Sequence, residues 1–206
     1  MGTTSYRWRQ LNTEQRAELL RWRKASEHPW HSPPHRVGSD LRCYHVTAAC
    51  YEHAHHLGHS FQRMDDFASA LLATVAQAAG PTTAWCMLPN HYHLLVSTTD
   101  LPQLTRALGR LHGRSAFAWN AEEDARGRTV FCRSADRAMR SEAHMWATIN
   151  YIHHNPVHHG YTGDWLEWPW SSARAYVAQV GMDHAEATWR EYPVLDYGRG
   201  WDDPAR

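Results

Sequence analysis

Length, composition and charge already exclude several classes of protein. The chain has 206 residues, enough for one domain with an extension and for a core that needs no stapling by metal or disulfide. Apolar residues make up 43% of it, which excludes overall disorder, and no run reaches the roughly 18 apolar residues of a membrane span. The formal net charge is zero, so the protein is not a general polycation that coats nucleic acid.

The N-terminal residues and the cysteines indicate a compartment. The first ten residues, MGTTSYRWRQ, lack the apolar centre of a secretory signal. The cysteines form neither a C-x-x-C pair nor a dense framework, which favours free thiols in a reducing environment. They are Cys43, Cys50, Cys86 and Cys132. We therefore expect a cytoplasmic protein with no membrane association.

Residues 1–40 are predicted to form an N-terminal extension. Asn12 and Gln15 have the spacing of a capping box at the start of a helix over Thr13–Lys24. The prolines of the following segment, HPWHSPPH, end that helix because they cannot continue it. This extension either wraps on the core or meets a partner.

From residue 41 onward the pattern becomes that of a folded domain. The predicted strands are Leu41–Tyr51, Thr82–Leu88, His91–Thr98 and Arg128–Arg133, and the predicted helices are Phe61–Ala79, Leu101–Trp119, Ser141–Asn155 and Trp168–Val180. Pro89 and Asn90 form a tight turn between the second and third strands. The order β-α-β-β-α-β-α favours an α+β sandwich with an antiparallel sheet, one face of which the helices cover.

Two histidines in the third strand are the sharpest local feature. His91 and His93 are two residues apart, so their side chains project from the same face of a strand. Two adjacent imidazoles on a rigid strand can chelate one divalent metal ion. Because the chain contains 17 histidines, a chance pair of half-exposed strand histidines is the alternative interpretation.

Tyr151 lies in an unusual place on its predicted helix. A helical projection puts it away from the apolar stripe that includes Ile149 and Ile152. Asn155 is one turn further along, on the same face as Tyr151. A phenol beside an amide, facing away from the core, could meet a substrate; a surface tyrosine is the alternative interpretation.

The two features together suggest phosphodiester chemistry. A metal held by His91 and His93 could polarise a phosphodiester, and the phenolate of Tyr151 could attack its phosphorus. A free tyrosine has a pKa of about 10, so it needs a nearby cation to become an effective nucleophile. Transfer of the phosphoryl group to tyrosine would keep the bond energy, so that rejoining would need no ATP.

Three motifs, in this order and spacing, resemble a known family. They are PNHYHLLV at residues 89–96, YIHHNPVHHG at residues 151–160 and WPWSS at residues 168–172. Over roughly residues 41–180 the chain resembles the REP-associated tyrosine transposases, which are HUH single-strand DNA nucleases that use one tyrosine.

The resemblance implies a fold and a division of the chain. It implies a ferredoxin-like α+β HUH core with a central antiparallel sheet and helices packed on it. The nuclease domain would cover residues 41–182, after the extension of residues 1–40, and a C-terminal tail would cover residues 183–206.

The resemblance also implies a mechanism. His91 and His93 would bind Mg²⁺ or Mn²⁺, with Asn155 as a third polar ligand. Tyr151 would be the nucleophile, leaving a 5′-phosphotyrosine link and a free 3′-OH. The substrate would be single-stranded DNA beside a hairpin, such as a repetitive extragenic palindrome (REP), cut by a monomer or a homodimer. Two departures concern Asn155, whose helical conformation the following proline disfavours, and His158, where relatives often have Arg or Lys.

Several basic side chains are candidates for contacts with DNA. Arg106, Arg110 and Arg114 recur every four residues along one helix face. This spacing would let that face follow a DNA backbone. The other candidates are Arg126, Arg128, His154 and His158. An ordinary solvated surface is the alternative interpretation of this set.

Three other functions stay open from the residues. One is a domesticated protein that binds hairpin DNA and has lost cleavage. Another is a histidine-rich zinc-binding protein, which would unfold when its metal is removed. The third is a nuclease in which a metal-bound hydroxide, not a tyrosine, attacks the phosphate.

Overall fold

The structure, a computed structural model, describes residues 41–194 together with Glu14. The predicted N-terminal helix over Thr13–Lys24 therefore lies outside the described residues, apart from Glu14, and so do residues 195–206. All four cysteines are described, and none is in a disulfide. Within the described range no helix combines the length and apolar character that crossing a bilayer requires.

The described range contains four strands and five α-helices. In chain order they are β1 (Arg42–Ala49), α1 (Phe61–Ala78), β2 (Thr82–Leu88), β3 (His91–Thr98), α2 (Leu101–Glu122), β4 (Ala135–Ala138), α3 (Glu142–His158), α4 (Ala173–Val180) and α5 (Met182–Glu191). Single 3₁₀ turns follow β1 over Tyr51–His53 and Leu57–His59. The α+β class and the antiparallel sheet predicted from the sequence are confirmed.

The sheet has the strand order β2-β3-β1-β4, and all neighbours are antiparallel. The hairpin of β2 and β3 closes at Pro89 and Asn90, with Leu88 opposite His91. In the pairing of β1 with β3, Thr47 stands opposite His93 and His45 opposite Leu95. The strand that carries the histidine pair is thus held on both sides, which makes it a rigid support.

Helices cover both faces of the sheet, so the predicted single covered face is wrong. On one face Tyr92 and Leu94 of β3 pack with side chains of α1 and α2, such as Phe67 and Leu108. On the other face Leu95 packs with Ile149 and Ile152 of α3, and His91 and His93 share its side of β3. The first six residues of β3 are all buried, as expected for a strand that is covered on both faces.

The fourth strand is not where the sequence pattern placed it. The predicted strand Arg128–Arg133 is irregular, with one isolated bridge between Phe131 and Cys50, and the strand itself is Ala135–Ala138. Val130 is buried in the core and Phe131 packs against it, which explains why this segment is apolar without being a strand. The short sequence ADRA has little β-propensity, and its strand conformation comes from pairing with β1.

Helix α3 continues past the proline predicted to stop it. It ends at His158, and Pro156 lies inside it. Because Pro156 lacks an N–H, it cannot bond to the carbonyl of Ile152, but the turn that follows closes with a bond from His159 N–H to the Asn155 carbonyl at 3.0 Å. Asn155 therefore remains helical, one turn beyond Tyr151.

The WPWSS motif covers the open edge of β2. The predicted helix over Trp168–Val180 begins only at Ala173. Before it, the Met87 N–H donates to the Trp170 carbonyl at 2.8 Å and the Ser172 N–H donates to the Trp85 carbonyl at 2.9 Å. The motif thus pairs with backbone groups that an edge strand would otherwise leave open.

A helix that the sequence analysis did not predict packs against α3. The Asn150 side chain donates through Nδ2 to the carbonyls of Thr188 and Tyr192, at 3.2 and 2.9 Å, at the end of α5. The predicted boundary after residue 182 therefore falls inside a helix that is tied to the domain.

The close approach of Gly58 to Pro89 gives a first prediction. A Cβ at Gly58 would clash with the Cβ of Pro89, so Gly58→Ala should displace the turn before His91 and lower the free energy of unfolding by about 1–3 kcal/mol. The matched control is Gly109→Ala in α2, where nothing lies within 4 Å and the helix should gain roughly 0.5–1 kcal/mol. Urea denaturation measures both. Equal midpoints for the two variants would contradict the prediction.

Burial of His112 gives a second prediction. Its Nε2 is bonded to the Tyr92 hydroxyl at 2.9 Å, its ring stacks 4.3 Å from Phe131, and burial lowers its pKa to about 4. The unfolded chain, with a pKa of about 6.5, therefore binds more protons between pH 6.5 and 4. The free energy of unfolding should fall over that window, by up to about 1.4 kcal/mol per pH unit from this residue.

The variant His112→Gln isolates that contribution. Urea unfolding of both proteins at pH 7 and pH 5 gives the change in stability for each, and the other buried histidines contribute equally to both. We expect the smaller loss in the variant. An identical loss would show that His112 is not held neutral by the fold.

Candidate active site

Strand β3 and helix α3 bring the four main candidate residues together. The rings of His91 and His93 lie 4.9 Å apart at 81°, and both side chains are buried. The His93 ring lies 5.2 Å from the ring of Tyr151, at 70°. His91 Nε2 is 3.1 Å from Oδ1 of Asn155. Two histidines, a tyrosine and an amide thus form one cluster between the sheet and the helix.

Tyr151 is buried, which the helical projection did not predict. Only 4% of it is exposed, and it packs in the same apolar cluster as Ile149 and Ile152. The projection assumed one buried stripe, whereas α3 lies between the sheet and α5 and buries most of its circumference. The expectation of a tyrosine that faces away from the core is therefore wrong, although its proximity to the histidines is clear.

Asn90 determines which nitrogen of His91 carries the proton. The Asn90 amide donates through Nδ2 to the His53 carbonyl at 3.3 Å, so its oxygen Oδ1 faces His91 Nδ1 at 2.7 Å. An amide oxygen only accepts, so Nδ1 of His91 donates. In the neutral ring, Nε2 then holds the lone pair, which is the form that binds a metal ion.

The contact between His91 and Asn155 brings two possible ligand atoms to one place. The lone pair of His91 Nε2 faces the Asn155 oxygen at 3.1 Å, and Nδ2 of Asn155 is buried without a hydrogen-bond partner among the described residues. Two acceptors at this distance repel each other unless the amide turns over or a cation lies between them. Two imidazole nitrogens and an amide oxygen suit a divalent metal ion that keeps positions open for a substrate.

Within the described range, no group of three or more His, Cys, Asp or Glu side chains is placed to hold a metal ion.

Two further residues, His45 and Asn90, contact the cluster and were not predicted from the sequence. His45 lies on β1, is 3% exposed, and has Nε2 at 3.1 Å from His93 Nδ1. The alternation of β1 carried a signal, because Tyr44 and Val46 face the α1–α2 core and leave His45 on the other face. Its contact with His93 could not be read without the register of β1 and β3.

The predicted row of arginines lies on the far side of the sheet. Arg106, Arg110 and Arg114 are exposed on α2, which covers the face opposite to His91 and His93. Arg137 of β4, which was not predicted from the sequence, lies on the face that carries His91 and His93, because it stands opposite His45 in the β1–β4 pairing.

The two arginines after α2 differ in their surroundings. Arg126 is exposed, with its guanidinium 5.9 Å from the centre of the Phe117 ring. Arg128 donates to a Glu123 carboxylate oxygen at 2.8 Å and to Oδ1 of Asn120 at 3.0 Å. The guanidinium of Arg128 therefore ties the loop after α2 to the helix.

The two predicted histidine contacts also differ. The His154 ring lies between Trp189, at 3.6 Å, and Trp165, at 4.7 Å, and burial lowers its pKa to about 4. It is neutral at neutral pH and brings no charge to a phosphate. His158 is exposed at the end of α3, 5.1 Å from the ring of His159, which lies 5.1 Å from that of His91.

Comparison with known proteins gives one match in sequence. No protein-family model matches the chain. Over 121 residues it is 27% identical to a protein of Haemophilus influenzae named "Putative REP-associated tyrosine transposase", and the alignment covers 53% of this chain and 68% of that protein.

The fold also has a counterpart among solved structures. It matches a REP-associated tyrosine transposase bound to a REP hairpin with a TM-score of 0.55 and 18% identity, over 71% of this chain and 86% of that one. A Deinococcus radiodurans protein described as "a putative transposase" aligns with a TM-score of 0.39 and 20% identity, over 58% of this chain and 95% of that one. The chain is thus similar in sequence to a protein named as a REP-associated tyrosine transposase, and similar in fold to a solved structure of such a transposase.

Proposed function

We propose that the chain is a metal-dependent endonuclease and strand transferase for single-stranded DNA, acting beside hairpin-forming repeats through a 5′-phosphotyrosine intermediate. The main support is the convergence of Tyr151 and Asn155 from α3 with His91 and His93 from β3. These residue types supply a nucleophile and a cation site at one point, which is what transfer of a phosphodiester to a side chain requires.

Tyr151 is the nucleophile of the proposed reaction. Its Oη forms a bond to the phosphorus, and the bond from phosphorus to the 3′ oxygen breaks. The phenol loses a proton and the leaving oxygen gains one, so a 3′-OH is released and the 5′ phosphate stays on the protein. Attack by a 3′-OH on the phosphotyrosine reverses the step and joins strands without ATP.

His91, His93 and Asn155 would hold the divalent cation, either Mg²⁺ or Mn²⁺. When bound, it would neutralise charge on the scissile phosphate and favour ionisation of a nearby phenol. Imidazole is a poorer ligand for Mg²⁺, which prefers oxygen, so this set favours Mn²⁺. Asn90 supports the site by holding His91 with its Nε2 lone pair available.

Single-stranded DNA next to a hairpin is the proposed partner. The solved relative is bound to a REP hairpin, and His158 is exposed close to the cluster, where DNA beside the scissile phosphate would pass. Arg106, Arg110 and Arg114 would contact DNA away from the cluster and add affinity without taking part in the chemistry. All four main residues come from one chain, so a monomer can carry out cleavage, and a homodimer would serve to join two ends.

A covalent-adduct assay tests the nucleophile. The protein is mixed with a hairpin oligonucleotide from its own genomic neighbourhood and Mn²⁺, with the label at either the 5′ or the 3′ end, and run on a denaturing gel. The 3′-labelled strand should move with the protein, and the 5′-labelled strand should be released with a free 3′-OH. Tyr151→Phe should abolish the adduct. The control is Tyr161→Phe, which should keep it, because Tyr161 is a partly buried tyrosine that packs against the apolar residues around Tyr151.

Each other outcome of that assay overturns the mechanism. An adduct that survives Tyr151→Phe would exclude this nucleophile. Cleavage without an adduct would favour the metal-hydroxide nuclease. Tight hairpin binding with neither cleavage nor adduct, over several hairpins, would favour the binding protein that has lost catalysis.

The histidine pair gives a prediction for metal dependence. EDTA should abolish adduct formation, and Mn²⁺ should restore it better than Mg²⁺. His93→Gln should weaken Mn²⁺ binding by more than the roughly 10- to 100-fold that loss of an outer-shell partner costs. The control is His184→Gln, an exposed histidine of α5.

Electron paramagnetic resonance of free Mn²⁺ gives the affinity of each variant. Equal affinity of wild type and His93→Gln would remove β3 from the metal site. Stoichiometric zinc in the purified protein, with unfolding on chelation, would instead favour the zinc-binding protein.

A further inference from the structure

We infer that His45 is a positioning residue, which holds His93 in the tautomer able to bind a cation. The inference rests on the proposed function, because it assigns His93 to the metal. The observation that carries it is the contact between His45 Nε2 and His93 Nδ1 at 3.1 Å, between side chains that are 3% and 0% exposed.

The contact has only two neutral arrangements. One hydrogen lies between the two nitrogens, so one ring donates and the other accepts. If His93 donates through Nδ1, its Nε2 holds a lone pair and can bind a metal ion. If His45 donates, Nε2 of His93 carries the hydrogen and cannot bind one. Metal binding therefore requires His45 to be the acceptor.

The second ligand shows the same design with a different partner. His91 donates through Nδ1 to the Asn90 oxygen at 2.7 Å, which leaves its Nε2 for a metal. Asn90 precedes His91 in the turn, whereas His45 reaches His93 from the neighbouring strand. Metal-binding histidines usually donate their other ring nitrogen to such an outer partner.

Strand register explains how His45 reaches His93. Thr47 stands directly opposite His93, and His45 is two residues further along β1 on the same face. Diagonal neighbours of this kind are within reach of long side chains. The Thr47 hydroxyl donates to the Tyr92 carbonyl at 3.1 Å, an additional bond that ties the two strands at this point.

His45 also borders the nucleophile. Its ring lies 6.0 Å from that of Tyr151, at 73°, so the same side chain contacts one metal ligand and the tyrosine. A buried polar ring is costly in an apolar interior unless it is hydrogen-bonded, and the bond to His93 supplies the partner. An apolar residue at this position could not accept a hydrogen bond from Nδ1 of His93.

The test uses two variants of the full chain, measured without DNA. His45→Gln places an amide oxygen near the former Nε2 and can still accept from His93, whereas His45→Leu cannot. We expect Mn²⁺ affinity to fall about 10- to 100-fold in His45→Leu and to stay within a few-fold of wild type in His45→Gln. Equal affinity in folded His45→Leu and wild type would overturn the inference.

A second readout reports the tautomer itself. Long-range ¹H–¹⁵N correlation spectra of the metal-free protein distinguish protonated from unprotonated ring nitrogens. In wild type, Nδ1 of His93 should carry the hydrogen and Nε2 should not. The opposite result would overturn the inference, and this measurement needs no variant, so it decides the question even if His45→Leu fails to fold.

The two measurements also separate this inference from the proposed function. If Tyr151→Phe still forms an adduct, the proposed function fails, while the tautomer and the Mn²⁺ affinities still test His45. If wild type binds Mn²⁺ and His93 carries its hydrogen on Nε2, the metal site stands and the role of His45 fails.

Discussion

The packing of α3 against one face of β3 is the contact on which the candidate site depends. The strand supplies His91 and His93, and the helix supplies Tyr151 and Asn155, so the separation of the two elements sets the distances between the histidines and the helix residues. Apolar residues on both elements, Leu95 and Ile152 among them, maintain that distance. A shift of the helix by one residue, about 1.5 Å, would be enough to separate the amide of Asn155 from the His91 ring.

Local sequence rules were sufficient for the parts of the site that lie within one element. The period of a strand puts His91 and His93 on one face, and the period of a helix puts Asn155 below Tyr151. The antiparallel hairpin with its turn at Pro89 and Asn90 was equally accessible, since the turn residues lie between two β-forming runs. These relations depend on backbone geometry alone.

The features that sequence reasoning missed depend on partners distant in the chain. The contact of His45 with His93 follows from strand register, and the burial of Tyr151 follows from the packing of α3 on the sheet. Pairing with β1 gives the weak β-former ADRA its strand conformation, and pairing with the edge of β2 fixes WPWSS, which was predicted to begin a helix. Tertiary context outweighs local propensity in each case.

The burial of Tyr151 has a consequence for how such an enzyme would behave between encounters with its target. Only 4% of the Tyr151 residue is exposed in the free protein. A phosphate can reach it only if binding supplies the free energy to move the side chains that cover it. Single-stranded DNA that binds weakly would then not be cleaved, because the protein would select its target at the binding step, before cleavage. In the protein without DNA, the phenol of Tyr151 would stay buried, and the free energy needed to expose it would set the selectivity for DNA.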